Sequence, residues 1–438
     1  VVKVDDTGIK PLFTSAEWDF ETIQKTWDAI DKIGKDVFGL DYYAPQIEMI
    51  TAEQMLDAYS SVAMPVMYNH WSFGKSFIQN ERAYNRGQMG LAYEVVINTN
   101  PSIAYLMEEN TMTMQTLVMA HAVCGHASFF KNNYLFQEWT DAGSILEYLK
   151  FAKEYIHKCE SKYGNTAVEK ILDACHALQY YGVDKYQRAN VLKADLKAER
   201  VEVWEQYFDE KFDHVLNTTV TDAVGTRNSA KARALKGATT DVRHAENEEN
   251  ILYFIEKNST VLAPWQQEIV RIVRKIAQYF YPQMQTQLMN EGWATFTHYN
   301  IMTELHGQGL ITDGSFMEFL QSHCGVVAQP DFDSDYYSGI NVYALGFAMM
   351  QDIKRICQNP TAEDRKWFPD LVDQEWLPTM KDIVEDYRDE SFVLQFLSPK
   401  IIRDFKLFTL HNDECTSKYT VAATHSDEDI LKNPTIAF

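Results

Sequence analysis

The run from Thr111 to Phe130 reads as a buried helix, and two histidines interrupt it. They stand in His121-Ala-Val-Cys-Gly-His126, five residues apart, with a glycine directly before the second. Histidine is the commonest protein metal ligand. On an ideal α-helix, residues five apart diverge by about 140°, so the two rings would not share a face. A local π-helical turn would bring them towards one line, and Gly125 tolerates such a distortion. Two readings stay open: two core histidines with separate hydrogen bonds, or half of a metal site.

A carboxylate to complete such a site comes about 165 residues later, in Asn290-Glu291-Gly-Trp-Ala294. The surrounding run, Met284–Leu305, is helix-like and apolar around Glu291. Burying a carboxylate there is costly unless it is paired or bound to metal. The competing reading is an ion pair with Arg271 or Arg274. Gly292 and Ala294 allow another helix to approach closely. His298 lies about 10 Å up the same helix from Glu291. That suits it to contact substrate or to support a ligand rather than to bind the same ion.

Other polar residues stand in suggestive places. Tyr68-Asn-His70-Trp71-Ser-Phe-Gly74-Lys75 is too rich in polar, aromatic and glycine residues for a plain helix, and reads as a pocket lining or a packed surface loop. Glu109 precedes the histidine helix, where an acid favours the helix dipole or could serve as base or ligand. Tyr343, in Ser338-Gly-Ile-Asn-Val-Tyr343-Ala-Leu-Gly346, offers a phenol to a developing oxyanion. Cys124 is a fourth ligand or a packed thiol.

The rest of the chain is dominated by apolar residues at three- and four-residue spacing: Trp18–Phe38, Thr51–Ser61, Ser144–Tyr163, Ala167–Tyr180 and Pro264–Phe280. Thr51 with Gln54 resembles a capping box, Asp141 or Ser144 caps the next helix, and Gly307 or Gly309 ends the helix of Glu291. Pro282 separates two helices or kinks one. Strand patterns are confined to Leu91–Asn98 and Tyr419–Ala423. The fold class is therefore mainly α, a multi-helical single large domain with a few short strands. Residues 217–250 are polar and charged and read as an exposed, flexible insertion. It separates an N-terminal helical half, 1–216, from a C-terminal half, 251–414. Residues 415–438 read as the remnant of a C-terminal extension.

A net charge of −22 argues against nucleic-acid binding through a basic face. No apolar run reaches membrane-spanning length. Six scattered cysteines with no CxxC pair suit reduced thiols in a cytoplasm. GxGxxG, GxxxxGK[ST] and GxSxG are all absent, so nucleotide-binding and serine-hydrolase readings lose ground.

Longer strings resemble the SpoVR (stage V sporulation protein R) family. They include Tyr68–Lys75, Gly90–Ile97, Tyr105–Asn110, His121–Asn133, Tyr279–Pro282, Asn290–Thr295, Ser338–Met350 and Phe396–Lys400. The resemblance runs from about Phe13 to Asp413. Val342 stands where the family usually has proline, and family members usually continue further at the C-terminus. The resemblance implies a cytoplasmic protein linked to spore cortex formation, or to stress and stationary-phase physiology. It also implies an AAA-type serine kinase and a von Willebrand-type protein as partners. It carries no biochemical activity with it.

A more distant similarity bears on mechanism. Some helical zinc peptidases carry HExxxH on one helix and EG[LW]A on a later one, with a Tyr-x-x-Gly element beyond. His121–His126, Glu291–Ala294 and Tyr343–Gly346 follow that order. This likeness implies a divalent metal, zinc before iron, on His121, His126 and Glu291. The general-base glutamate of those enzymes is Ala122 here, so another group must activate water, with Glu109, His298 and His70 as candidates. The leading expectation is a metal-dependent hydrolase acting on a peptide or cell-wall precursor, with Tyr343 or His298 stabilising the oxyanion. The alternatives are a non-catalytic regulator working with the kinase and a non-heme Fe(II) redox protein.

Overall fold

The computed structural model describes residues 10–61, 63–86, 94–183, 250–331, 334–412 and 419–424. The expected insertion, up to residue 249, and most of the expected C-terminal remnant lie outside the described residues. The chain divides into two compact units. One comprises Val1–His157 with Tyr279–Phe438, the other Lys158–Gln278. As expected, the protein is mainly α-helical with minor β-structure. None of the described helices is long and apolar enough to cross a membrane.

The smaller unit holds helices Asn165–Leu178 and Ile251–Asn258 and most of Pro264–Gln285. Glu256, buried, is paired there with Arg274 at 2.9 Å. Arg271 is taken by Glu268 at 2.6 Å. Both arginines weighed as partners for Glu291 therefore serve other carboxylates.

In the larger unit the first helix, Phe20–Asp36, starts where the Asp19 carboxylate accepts the Thr22 N–H. It buries Ile23, Ile30 and Ile33 at helical spacing. A three-stranded sheet follows in the order β1-β3-β2, from β1 (Pro45–Ile50), β2 (Glu94–Ile97) and β3 (Ser102–Met107). β1 runs parallel to β3, and β2 is antiparallel to it with Glu94 opposite Leu106. A second pair, β4 (Phe408–Asn412) and β5 (Tyr419–Thr424), is antiparallel and covers the expected Tyr419–Ala423 strand.

Between β1 and β2 lie helices Ala52–Ser60 and Trp71–Asn85. The first opens on the anticipated capping box of Thr51 and Gln54. The second corrects the sequence reading, because Trp71–Lys75 is regular helix. His70 caps it, with Nδ1 accepting the Ser72 N–H, and the polar and glycine residues occupy a helix face that buries nothing.

The histidine segment is the middle of the core. Thr111 caps an α-helix at Met112, which becomes a π-helix over Met119–His126 and returns to α-helix over Ala127–Asn132. Every residue of the π-helix is buried. β2 and β3 pack on it, and so does the glutamate helix, Gln287–Gly307. That helix begins where the Asp389 carboxylate accepts the N–H groups of Leu288 and Met289, each at 2.9 Å. It ends after Gly307, with Gly309 in the left-handed region at φ +71°. A third helix, Val342–Gln358, lies against it and carries Tyr343.

Candidate metal centre

The π-helix answers the spacing problem posed by the sequence. Its wider turn places His121 and His126 on one side, with ring centroids 4.6 Å apart and the planes nearly perpendicular. Gly125 is needed for a further reason. A Cβ there would lie 2.5 Å from the Cα of Ala294 and 2.8 Å from its Cβ, so only glycine lets the glutamate helix come this close. Ser128 fastens the contact. Its hydroxyl donates to the Gly125 carbonyl and accepts from the Trp293 indole, both at 2.9 Å.

That approach delivers Glu291. Its Oε2 lies 3.5 Å from His126 Nε2 and 3.7 Å from His121 Nε2. The three residues form a group whose ligand atoms all lie within 4.8 Å of one another. Oε2 is buried and accepts no hydrogen bond among the described residues. An unpartnered buried carboxylate oxygen costs several kcal/mol. A divalent cation coordinated by it and the two ring nitrogens would remove that cost, so the donor set fits a metal.

Each histidine is oriented through its other nitrogen. His126 Nδ1–H donates to Asn290 Oδ1 at 2.9 Å, so the residue before the glutamate aims this ring and leaves its Nε2 lone pair facing Glu291. His121 Nδ1 meets His298 Nδ1 at 2.9 Å. His298 therefore stands behind a histidine rather than beside the glutamate, consistent with its distance along the helix.

A residue not singled out in the sequence completes the cluster. Glu94, the first residue of β2, places Oε1 3.7 Å from His121 Nε2. Two carboxylates from different elements thus face one ring nitrogen. Burial drives the Glu94 carboxyl above its ordinary value. The His121 charge opposes this and the Glu291 charge adds to it. Burial works against the Glu291 charge too, but the two histidines and the Tyr343 phenol hold that carboxyl below its usual value. Burial pushes His126 down to about 4. For His121, burial is outweighed by the neighbouring Glu291 and Glu94 carboxylates, which hold it above the ordinary value.

Tyr343 follows the Asn341 cap of its helix and turns its phenol to Glu291. Burial first, then the two carboxylates, raises its pKa, so it stays protonated at neutral pH. The other candidates lie elsewhere. Glu109 is in an exposed turn after β3. His70 is the helix cap described above, ringed by Trp71 and Phe73. Cys124 points away from the cluster and donates its thiol to the Tyr42 hydroxyl at 3.7 Å, and burial lifts it to about 12. It is a packed thiol.

In the sequence Glu94 sits in the polar slot of the alternating Leu91–Asn98 pattern, where an outward-facing acid is ordinary. What hid it was the pairing of strand with π-helix, which is tertiary.

Comparison with known proteins agrees with the strings noted in the sequence. The family described as SpoVR like protein matches residues 17–432. The uncharacterized protein YcgB of Escherichia coli (strain K12) is 53% identical over 417 residues, covering 95% of this chain and 80% of that protein. No solved structure matches.

Proposed function

The chain belongs to the SpoVR family, and we propose that it is a metal-dependent hydrolase in which Glu94 takes the part of the missing base. The observation that carries this reading is the pair of carboxylates on His121 Nε2, with Glu291 and Glu94 each 3.7 Å away. One carboxylate is enough to complete a two-histidine ligand set. A second, with a raised pKa, suits proton transfer.

His121 Nε2, His126 Nε2 and Glu291 Oε2 would hold the ion. Zinc is the choice that fits two imidazoles and a carboxylate with a position left open. When bound, it would polarise a carbonyl and acidify water. Glu94 accepts the proton of the attacking water and returns it to the leaving group. Its burial makes it a stronger base than a solvent-exposed carboxylate. Tyr343, protonated beside Glu291, donates a hydrogen bond to the oxygen on which charge develops. The substrate class is a peptide or cell-wall precursor with an amide carbonyl. Ala122, fully buried, lies in the core and takes no part.

Elemental analysis of the purified protein and turnover on an amide and peptide panel test this reading. His121→Ala should lose both metal and turnover. Glu94→Gln should keep the metal and lose turnover by roughly 100-fold or more. Iron in place of zinc, or full turnover in Glu94→Gln, would overturn it.

A further inference from the structure

Two buried imidazoles have no part in the chemistry above. His298 is 2% exposed and His323, on helix Asp313–Val326, is 4% exposed. His323 is ringed by Tyr299, Phe319 and Phe347, with centroids 5.1, 5.6 and 4.8 Å away. An aromatic hydrocarbon would suit that place better, since a buried polar ring is tolerated only when its nitrogens are bonded. The bonds are in line. His298 Nε2 meets His323 Nδ1 at 2.9 Å, and His298 Nδ1 meets His121 Nδ1 at 2.9 Å.

A neutral imidazole has one donor and one acceptor, so three in series have only two directions. If His121 Nδ1 carries the proton, it donates to His298. His298 must then carry its proton on Nε2 and donate to His323. In the opposite direction His121 would be protonated on Nε2, the nitrogen facing Glu291 and Glu94, and could not bind a metal there. Burial keeps His323 neutral, at about 4, so it can act as the terminal acceptor.

We propose that His298 and His323 are positioning residues, a one-way imidazole chain that fixes the proton of His121 on Nδ1 and presents its Nε2 lone pair to Glu291. This rests on the metal reading given above. Ligand histidines are generally held by a carboxylate, carbonyl or water, and loss of that support weakens metal binding by about 10- to 100-fold. Here the support is a second and a third histidine, delivered by two further helices.

The test combines Zn2+ affinity with nitrogen NMR. In metal-free wild type labelled with 15N-histidine, His298 and His323 should each carry their proton on Nε2. His323→Phe removes the acceptor and should weaken Zn2+ about 10- to 100-fold in a chelator competition. His323→Gln, whose amide oxygen can accept, should stay within about threefold of wild type, and guards against a folding defect in the Phe variant. A His298 proton on Nδ1, or unchanged Zn2+ binding in a folded His323→Phe protein, overturns the chain. Failure of wild type to bind Zn2+ at all overturns the metal reading and this role together, a result distinguishable from the loss of the His323 effect alone.

Discussion

Gly292 and Gly346 meet backbone to backbone where the glutamate helix crosses the tyrosine helix. A Cβ on Gly346 would lie 2.5 Å from the Leu288 carbonyl oxygen and 2.8 Å from the Gly292 Cα, and one on Gly292 would lie 2.7 Å from the Gly346 Cα. The contact sits one residue from Glu291 and three from Tyr343, so it sets the distance between carboxylate and phenol. Gly346→Ala should therefore cost about 1–3 kcal/mol in denaturant unfolding. Gly74, on an exposed helix with nothing within 4 Å of its Cβ position, is the control. There the same change should stabilise by roughly 0.5–1 kcal/mol. Equal effects at the two sites would contradict the close crossing.

Asn290 aims His126 through a single hydrogen bond. Asn290→Ala should weaken Zn2+ by about 10- to 100-fold and, by leaving the buried His126 Nδ1–H without an acceptor, destabilise the metal-free protein by about 1–3 kcal/mol. Asn290→Asp keeps an acceptor and should restore binding. Affinity measured by competition against a chromophoric chelator decides between these outcomes.

Acid should unfold the metal-free protein early. His126 titrates near 4 when folded against an ordinary value of 6.5. Between those values the unfolded chain binds more protons, so stability is full above about pH 6.5 and falls as pH drops towards 4. For a shift of this size the loss is on the order of 3 kcal/mol. His323 acts in the same direction. His121 and Glu94, both raised, act in the opposite one, His121 at and above its ordinary value and Glu94 above its own, which makes the comparison with His126→Gln the deciding measurement. Guanidinium unfolding at pH 7.5, 6 and 5 with chelator present should show the decline, and His126→Gln should flatten it. A flat wild-type profile would argue that His126 is not held neutral.

Val342 occupies the first turn of its helix, directly after the Asn341 cap. Proline is tolerated there because that N–H has no helical partner. Asn341 already has the extended backbone, φ −75° and ψ 115°, that a following proline demands. Val342→Pro should stabilise by about 0.4–1 kcal/mol through the unfolded chain. A lower melting temperature would show that the local backbone departs from this geometry.

The helical character and the cap at Thr51 were legible in the chain because each depends on residues within a few positions of one another, and the three ligand candidates because each stands out against an apolar run. The π-turn could be inferred because two histidines five apart are useful only on such a turn. Glu94 and His323 could not be read this way. Glu94 opens a short strand and His323 lies on a helix of ordinary length, and each gains its meaning from what packs on it. The polar stretch at Tyr68–Lys75 misled for a related reason. Residues that break a buried helix are harmless in Trp71–Asn85, which buries none of its side chains.

The π-helix has a consequence for how this site tolerates change in chain length. The π-turn spends one residue more than an α-turn on nearly the same rotation, so removing one residue between His121 and His126 would restore ordinary helical bonding and leave the helix beyond it almost unrotated. The histidines would then stand four apart, which on an α-helix still leaves them on one side, and Phe129 and Phe130, buried in the core, would keep their facing. A common side for the two rings can thus be written into the chain as five residues on a π-turn or as four on an α-turn, and this chain uses the first. A residue added to this turn, with no further widening to absorb it, is what would rotate the helix beyond by about 100° and carry Phe129 and Phe130 out of the core.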